Sequence, residues 1–354
     1  MVATRASTSR LVALRYESGA LWAIDQTELP WREVPLELRT ADEVADAIRR
    51  LAIRGAPLIG VAGAYGVALE LARDPSSETL DRAAEVLRRA RPTAVNLSYA
   101  VDRVARAARA ASADPGAAGP GAAGPGAAAL AEARAIEAEE EAASDAIAHH
   151  GAELLAGARR ILTHCNTGAL AAPGRGTALA VIAELAARGA LEHVLATESR
   201  PLLQGARLTV YELARLNIPH ELIVDSAAAG LIARGAVDAV IVGCDRVAAN
   251  GDVANKVGTY GLALAANAAS IPFVVAGPTS TIDPRTATGA GITIEERDPD
   301  EVRAVAGQAT ALPATPARNP AFDVTPAALV TALVTERGTI KSPRAESLDA
   351  LRRT

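Results

Sequence analysis

Two stretches of the chain carry side chains suited to moving protons. In ILTHCNTGALA, residues 161–171, an apolar run ends on Cys165 and turns polar at Asn166, Thr167 and Gly168. A free cysteine is most often a small buried hydrophobe. Held at a strand end beside a ligand, the same thiol takes or gives a proton once its surroundings set its pKa. In IVGCDRVAANGDVANKVGTY, residues 241–260, the apolar run ends on Cys244 and Asp245. Asp245 reads either as a strand-end turn residue or as a carboxyl group desolvated behind AVIVG and poised as acid or base. Side chains alternate along a strand, so an Asp245 that faces a cleft leaves Cys244 to pack on the other side. A Cys165–Cys244 disulfide is therefore not expected.

Other stretches suit an anion. Asn255 and Lys256 stand ahead of the helical pattern VGTYGLALAANAA, where a lysine opposes the helix dipole and is better explained if an anion shares the site. RLAIRGAPLIGVAGAYG sets Arg54, Gly55 and Ala56 before Pro57, the composition of an anion-binding helix start or of an ordinary capped helix with a surface arginine. Arg91 in RPTAVNL is either a second phosphate fork or a solvated charge. Gln204 in PLLQGARLT sits in a loop before a helix, where its amide binds a sugar hydroxyl or caps a turn.

These groups need a scaffold, and the second half of the sequence spells one out. From residue 159 the runs RILTHC, HVLATE, HELIVD, AVIVGC, PFVVAG and GITIEE alternate with helical segments such as TALAVIAELAARGA, RLTVYELARL and SAAAGLIARGA. This is the βαβ rhythm of a parallel, Rossmann-like sheet. Ligands of such sheets sit at the carboxyl ends of the strands, and CNTG, ESRP, DSAAAG and CDRVAANGD are what follow those ends here. The fold expected is α/β: a mostly helical N-terminal domain with a few short strands over residues 1–150, and a Rossmann-like catalytic domain over 151–354. Within the first, SADPGAAGPGAAGPGAA, residues 112–128, has three Pro-Gly pairs and little to bury, and is expected to be a mobile surface loop.

Composition bounds the partners. The chain has 354 residues, half of them hydrophobic but only 3% aromatic, so its core is built from Ala, Val, Leu and Ile. A net charge of -5 gives no electrostatic reason to expect nucleic acid or an anionic membrane. The N-terminus lacks the apolar stretch and cleavage signal of a leader, and no long uninterrupted apolar segment occurs, so a soluble cytoplasmic protein is expected. Two cysteines and five scattered histidines offer neither zinc spacing nor a disulfide framework.

Taken in order, RGAPLIGVAGAYG, RPTAVNL, THCNTGALA, ESRPLLQGARLT, VDSAAAG, GCDRVAANGDVANKVGTYG and IEERDP closely resemble the methylthioribose-1-phosphate isomerases. Their wider family also holds the regulatory subunits of the translation-initiation nucleotide exchange factor. The resemblance covers about residues 10–340 and implies a homodimeric aldose-ketose isomerase of methionine salvage that acts on a sugar phosphate without metal or organic cofactor. It implies Cys165 as the catalytic thiol and Asp245 as the proton donor. Arg54, Gly55, Ala56, Arg91, Gln204, Asn255 and Lys256 fall on substrate-binding positions. The chemistry has use for them: the phosphate on the anomeric oxygen stops the sugar opening to a free aldehyde, so an acid must protonate the ring oxygen. Asp245 then has to be protonated near neutral pH, hence desolvated. The sequence departs from the family pattern at Cys244, commonly alanine, and at Thr197, commonly aspartate. Other sugar 1-phosphate isomerases, acting on 5-deoxyribose 1-phosphate or ribose 1,5-bisphosphate, and a noncatalytic regulatory subunit are the competing expectations.

Overall fold

The computed structural model describes residues 11–92, 94–113 and 124–353. The chain divides into two compact units, one of residues 11–142 with 169–174, the other of 143–168 with 175–354.

The first unit opens with an antiparallel meander of β1 (Leu14–Glu17), β2 (Ala20–Ile24) and β3 (Pro35–Leu38). Helix α1 (Ala41–Arg49) starts at a complete capping box, Thr40 accepting from the Glu43 N–H while the Glu43 carboxylate accepts from the Thr40 N–H. Helix α2 (Ala56–Arg73) is buried on almost every side, as its uninterrupted small and apolar sequence requires, and packs with α3 (Ser77–Ala90) and α4 (Val95–Ala113). The segment 112–128 is split by the secondary structure. Helix α4 runs to Ala113, residues 114–123 lie outside the described residues, and α5 (Pro125–Leu154) begins at the third Pro-Gly pair. Proline is tolerated there because a first-turn N–H has no intrahelical partner to lose.

The second unit is the expected parallel sheet. In chain order its elements are β4 (Arg160–Thr163), α6 (Ala178–Ala187), β5 (His193–Thr197), α7 (Val210–Arg215), β6 (His220–Ile223), α8 (Ala228–Ala233) and β7 (Ala239–Val242). The hairpin β8 (Arg246–Ala248) and β9 (Val253–Lys256), α9 (Thr259–Ala268), β10 (Phe273–Ala276) and β11 (Ile282–Asp283) follow. Then come α10 (Asp300–Arg303), the small hairpin β12 (Ala304–Val305) and β13 (Gln308–Ala309), β14 (Phe322–Thr325), β15 (Ala332–Thr335), β16 (Gly338–Lys341) and α11 (Ala345–Arg353). The main sheet runs β16-β15-β10-β7-β4-β5-β6, parallel throughout except for β16 at the edge. The parallel strands start at the centre with β4, wind outward to β6, return to β7 on the other side of β4 and wind outward again. Alternate residues of each strand feed two cores. Ile161, Ile241 and Val274 pack with α6, whereas Leu162, Val240, Val242 and Val275 pack with α8 and α9. The inner strands β4, β5, β7, β10 and β15 are thus buried on both faces, which is why their runs read as continuously apolar, whereas the edge strand β6 stays partly exposed.

GITIEE is not the sixth parallel strand. It makes one isolated bridge, Glu296 to Pro320, and the sixth place belongs to β15. The alternation of GITIEE suits one buried face, and Ile292 and Ile294 use that face against Ala248 and Ala254; a place between two layers demands a run such as ALVT, which β15 supplies. Among the described residues no helix is long and apolar enough to cross a membrane.

Candidate active site

The winding of the main sheet reverses between β4 and β7, its topological switch point, where the loops after two neighbouring strands diverge to opposite faces. Cys165 follows β4 and Asp245 follows β7. Both residues singled out for proton chemistry therefore emerge at the carboxyl ends of adjacent strands, at the one place in this topology where a crevice must open.

Cys165 is only partly buried and has a left-handed backbone, φ 64°. An unbranched residue other than glycine keeps that conformation only where its surroundings hold it, and here both sides of its backbone are held. Its N–H donates to Ser199 Oγ at 2.8 Å, and its carbonyl accepts from Thr209 Oγ1 at 2.5 Å. The next residue, Asn166, is buried and donates through Nδ2 to Glu212 Oε1 at 2.7 Å and Thr209 Oγ1 at 3.3 Å. Thr167 caps the start of α6, its Oγ1 accepting from the Leu179 N–H at 3.1 Å and its carbonyl from the Thr177 N–H at 2.7 Å.

The residues that grip this loop come from a distortion that the expected helix RLTVYELARL did not contain. Residues Gly205–Thr209 form a π-helical turn ahead of α7, and Gln204 stands at its head. The wider turn aims Thr209 and Glu212 at the Cys165 loop, a common use of π-turns near functional sites. It lies so close to the end of β5 that a Cβ on Gly205 would stand 1.7 Å from the Thr197 carbonyl oxygen. Gln204 is buried to 6% exposure, and its Oε1 has no hydrogen-bond partner. A buried amide oxygen left unpaired costs about 1–3 kcal/mol, and a ligand hydroxyl would recover it.

Asp245 is half-buried, and its N–H donates to Ala254 O at 2.9 Å, which joins it to the β8–β9 hairpin. The NGD turn closes that hairpin, with Asp252 accepting from Asn250 Nδ2 at 2.8 Å and from the Ala327 and Gly289 N–H groups. Asn255 and Lys256 lie on β9 and are both buried. Asn255 Nδ2 donates to Thr259 Oγ1 at 3.0 Å; Lys256 Nζ donates to Ala321 O at 2.9 Å and sits 5.0 Å from the Phe322 ring centroid. The anion at the start of α9 is Asp323, whose carboxylate accepts from the Gly258 N–H at 2.7 Å and the Tyr260 N–H at 3.1 Å. Burial pushes the Asp323 pKa above the ordinary carboxylate value, against the pull of those two N–H groups and of Lys256. Cys244 faces the other way: it packs against the β7–α9 core, hydrogen-bonds Thr281 Oγ1 at 3.3 Å, and burial raises its thiol pKa to about 12. Both cysteines are free thiols.

Arg54, Gly55, Ala56 and Arg91 belong to the helical unit. Gly55 is the N-cap of α2 with φ 97°, and a Cβ there would lie 2.3 Å from Ala171 O; only glycine permits this approach. Ala56 and Pro57 form the first turn of α2 with no side-chain cap, Arg54 is buried beside it, and Arg91 ends α3 half-buried. His164, Thr197, Ser199, Thr209, Glu212 and Asp323 were not among the residues picked out for chemistry. The signal available for His164 was adjacency to Cys165, and for Thr197 and Ser199 the departure from the family pattern at Thr197; for the others the contact spans long stretches of sequence.

The Initiation factor 2 subunit family model matches residues 52–342. A methylthioribose-1-phosphate isomerase of Anaeromyxobacter sp. (strain K) is 54% identical over 328 residues, 93% of this chain and 93% of its own. A 5-deoxyribose 1-phosphate isomerase of Moorella thermoacetica is 49% identical over 344 residues, 96% of each chain. The crystal structure of 5-methylthioribose 1-phosphate isomerase from Pyrococcus horikoshii OT3 superposes with a TM-score of 0.89 at 38% identity, covering 98% of this chain and 97% of its own. With that match over residues 52–342, the chain belongs to the Initiation factor 2 subunit family.

Proposed function

We propose that the chain is an aldose-ketose isomerase that converts 5-methylthioribose 1-phosphate to 5-methylthioribulose 1-phosphate in methionine salvage, with Cys165 and Asp245 as its catalytic pair. The observation that carries this reading is their emergence from neighbouring strands at the switch point of the sheet, in a chain about half identical to relatives of that name. Asp245 protonates the ring oxygen, and the ring opens without loss of the anomeric phosphate. Hydrogen then passes from C2 to C1 with Cys165 taking part, the C2 hydroxyl gives up its proton and becomes the ketone, and Asp245 is restored. The grip on both sides of the Cys165 backbone supports a thiol held in place before substrate arrives. Arg54 and Arg91, with the backbone at Gly55 and Ala56, are assigned to the substrate phosphate, and Lys256 is likewise assigned to binding the substrate. Asn255 and Gln204 take the sugar hydroxyls, and the unpaired Gln204 Oε1 supports that assignment. The protein works in the cytoplasm as a homodimer, which sedimentation tests.

The 5-deoxyribose 1-phosphate relative supports a second reading, in which the C5 substituent is hydrogen rather than methylthio. Purified protein is assayed on 5-methylthioribose 1-phosphate, 5-deoxyribose 1-phosphate and ribose 1,5-bisphosphate. The first is expected to give the highest kcat/KM, and a clear preference for the bisphosphate overturns the assignment. Cys165→Ser and Asp245→Asn are expected to lower kcat by at least about 100-fold while the urea midpoint stays near wild type. Near-wild-type turnover in both removes the catalytic pair, whereas a wild-type protein with no turnover on any of the three substrates favours a noncatalytic regulatory role.

A further inference from the structure

One buried side chain, used by no step above, ties its own segment after β4 to two others, the end of β5 and the turn after β9. His164 precedes Cys165 and is 2% exposed. Its Nε2 lies 2.9 Å from Val257 O, next to Lys256, and its Nδ1 lies 2.6 Å from Thr197 Oγ1. A carbonyl only accepts, so Nε2 carries the hydrogen; in the neutral ring that burial favours, Nδ1 is then the acceptor and the Thr197 hydroxyl its donor, a single tautomer. Burial holds its pKa below the ordinary histidine value, with Lys256 acting in the same direction and Asp225 and the Val257 carbonyl against it. Beyond Thr197 the network goes on, because Ser199 Oγ lies 3.3 Å from Thr197 Oγ1 and accepts the Cys165 N–H at 2.8 Å. The opposite end is equally close: a Cβ on Gly258, φ 107°, would stand 3.2 Å from both Cε1 and Nε2 of the ring.

We infer that His164 is a positioning residue for the isomerisation, one ring nitrogen holding the backbone of Cys165 through Thr197 and Ser199 and the other holding the turn that follows Lys256. The inference rests on the function proposed above. Its two arms serve different stages, since Cys165 acts in the chemical step and Lys256 in holding the substrate. An asparagine amide reproduces the reach of Nδ1, and a glutamine amide that of Nε2.

The test is a crossed pair of variants assayed with 5-methylthioribose 1-phosphate. His164→Asn keeps the Thr197 arm and is expected to raise KM about tenfold with kcat within about twofold of wild type. His164→Gln keeps the Val257 arm and is expected to lower kcat about tenfold with KM within about twofold. Nitrogen NMR of the wild-type ring is expected to show the neutral Nε2–H tautomer at pH 7. Where either variant fails to fold, Thr197→Val, which removes the hydroxyl and keeps the shape, is expected to lower kcat about tenfold at unchanged KM. Equal losses in both His164 variants, wild-type kinetics in both, an unchanged kcat in Thr197→Val, or an Nδ1–H or charged ring overturns the inference. Wild-type protein with no turnover overturns the functional reading itself; active wild type with uncrossed variants overturns only the role of His164.

Discussion

Gly205→Ala is the sharpest test of how the site is held. The new Cβ would lie 1.7 Å from Thr197 O, 2.9 Å from Thr197 C and 3.0 Å from Ser199 Oγ. The first two are backbone atoms at the end of a central strand pair and do not swing aside as a flexible side chain does. To restore even a 3.0 Å contact, the π-turn or the end of β5 has to move by about 1.3 Å, an overpacking strain at the upper end of the usual range, about 3 kcal/mol. The same shift disturbs Thr209 and Glu212, which hold the Cys165 loop. A misplacement of about 1 Å in a positioned site costs about 100-fold in rate, so kcat/KM should fall by about that factor beyond what unfolding explains. Urea unfolding and steady-state kinetics on the same preparation separate the two effects. Gly261→Ala on α9 is the control: its Cβ meets nothing within 4 Å, and a helical glycine replaced by alanine should gain about 0.5–1 kcal/mol. A Gly205→Ala protein with wild-type stability and wild-type kcat/KM refutes the close packing of the π-turn on β5.

Two further outcomes follow from the electrostatics. The buried His164 has a depressed pKa, while in the unfolded chain it titrates near about 6.5. Below that value the unfolded state binds more protons than the folded one, so stability rises with pH and is lost as pH falls from about 7 towards 5. His164→Gln should flatten this slope in urea midpoints measured across the window, and an unchanged slope counts against a neutral ring. Asp323→Ala removes both acceptors at the start of α9 and should cost about 1–2 kcal/mol. Asp323→Asn, which keeps one oxygen, should recover about half, and equal losses in the two would mean that the charge, not the hydrogen bonds, holds the helix.

The inner strands were legible because burial on both faces writes itself as continuous apolar runs, and the strand-end rule then led to Cys165 and Asp245. Topology sharpened that reading: the same two residues flank the reversal point, which required the observed strand order and not only the rhythm. GITIEE misled because an alternating β-prone run looks alike in a central strand and in a loop with one packed face. The π-turn was hidden because RLTVYELARL has ordinary helical spacing, and only the closeness of Gly205 to Thr197 forces the wider turn. Asp323 was out of reach since it lies far along the chain from the helix it caps, and no local pattern announces a cap delivered by a neighbouring strand.

The hexapeptide 169–174 has a consequence for how the protein comes into being. It follows the Cys165 loop directly, yet it belongs with the helical unit. Gln26 Nε2 donates to Leu170 O at 2.8 Å, and the Leu58 N–H donates to Ala171 O at 3.1 Å. A chain that stops at residue 142 leaves both of these donors without their acceptors, at about 1–3 kcal/mol each where they are buried. During synthesis the helices emerge first, and these two hydrogen bonds form only once the Cys165 loop and the six residues after it have followed. The helical unit is therefore completed in sequence only after the loop that carries Cys165 has been made.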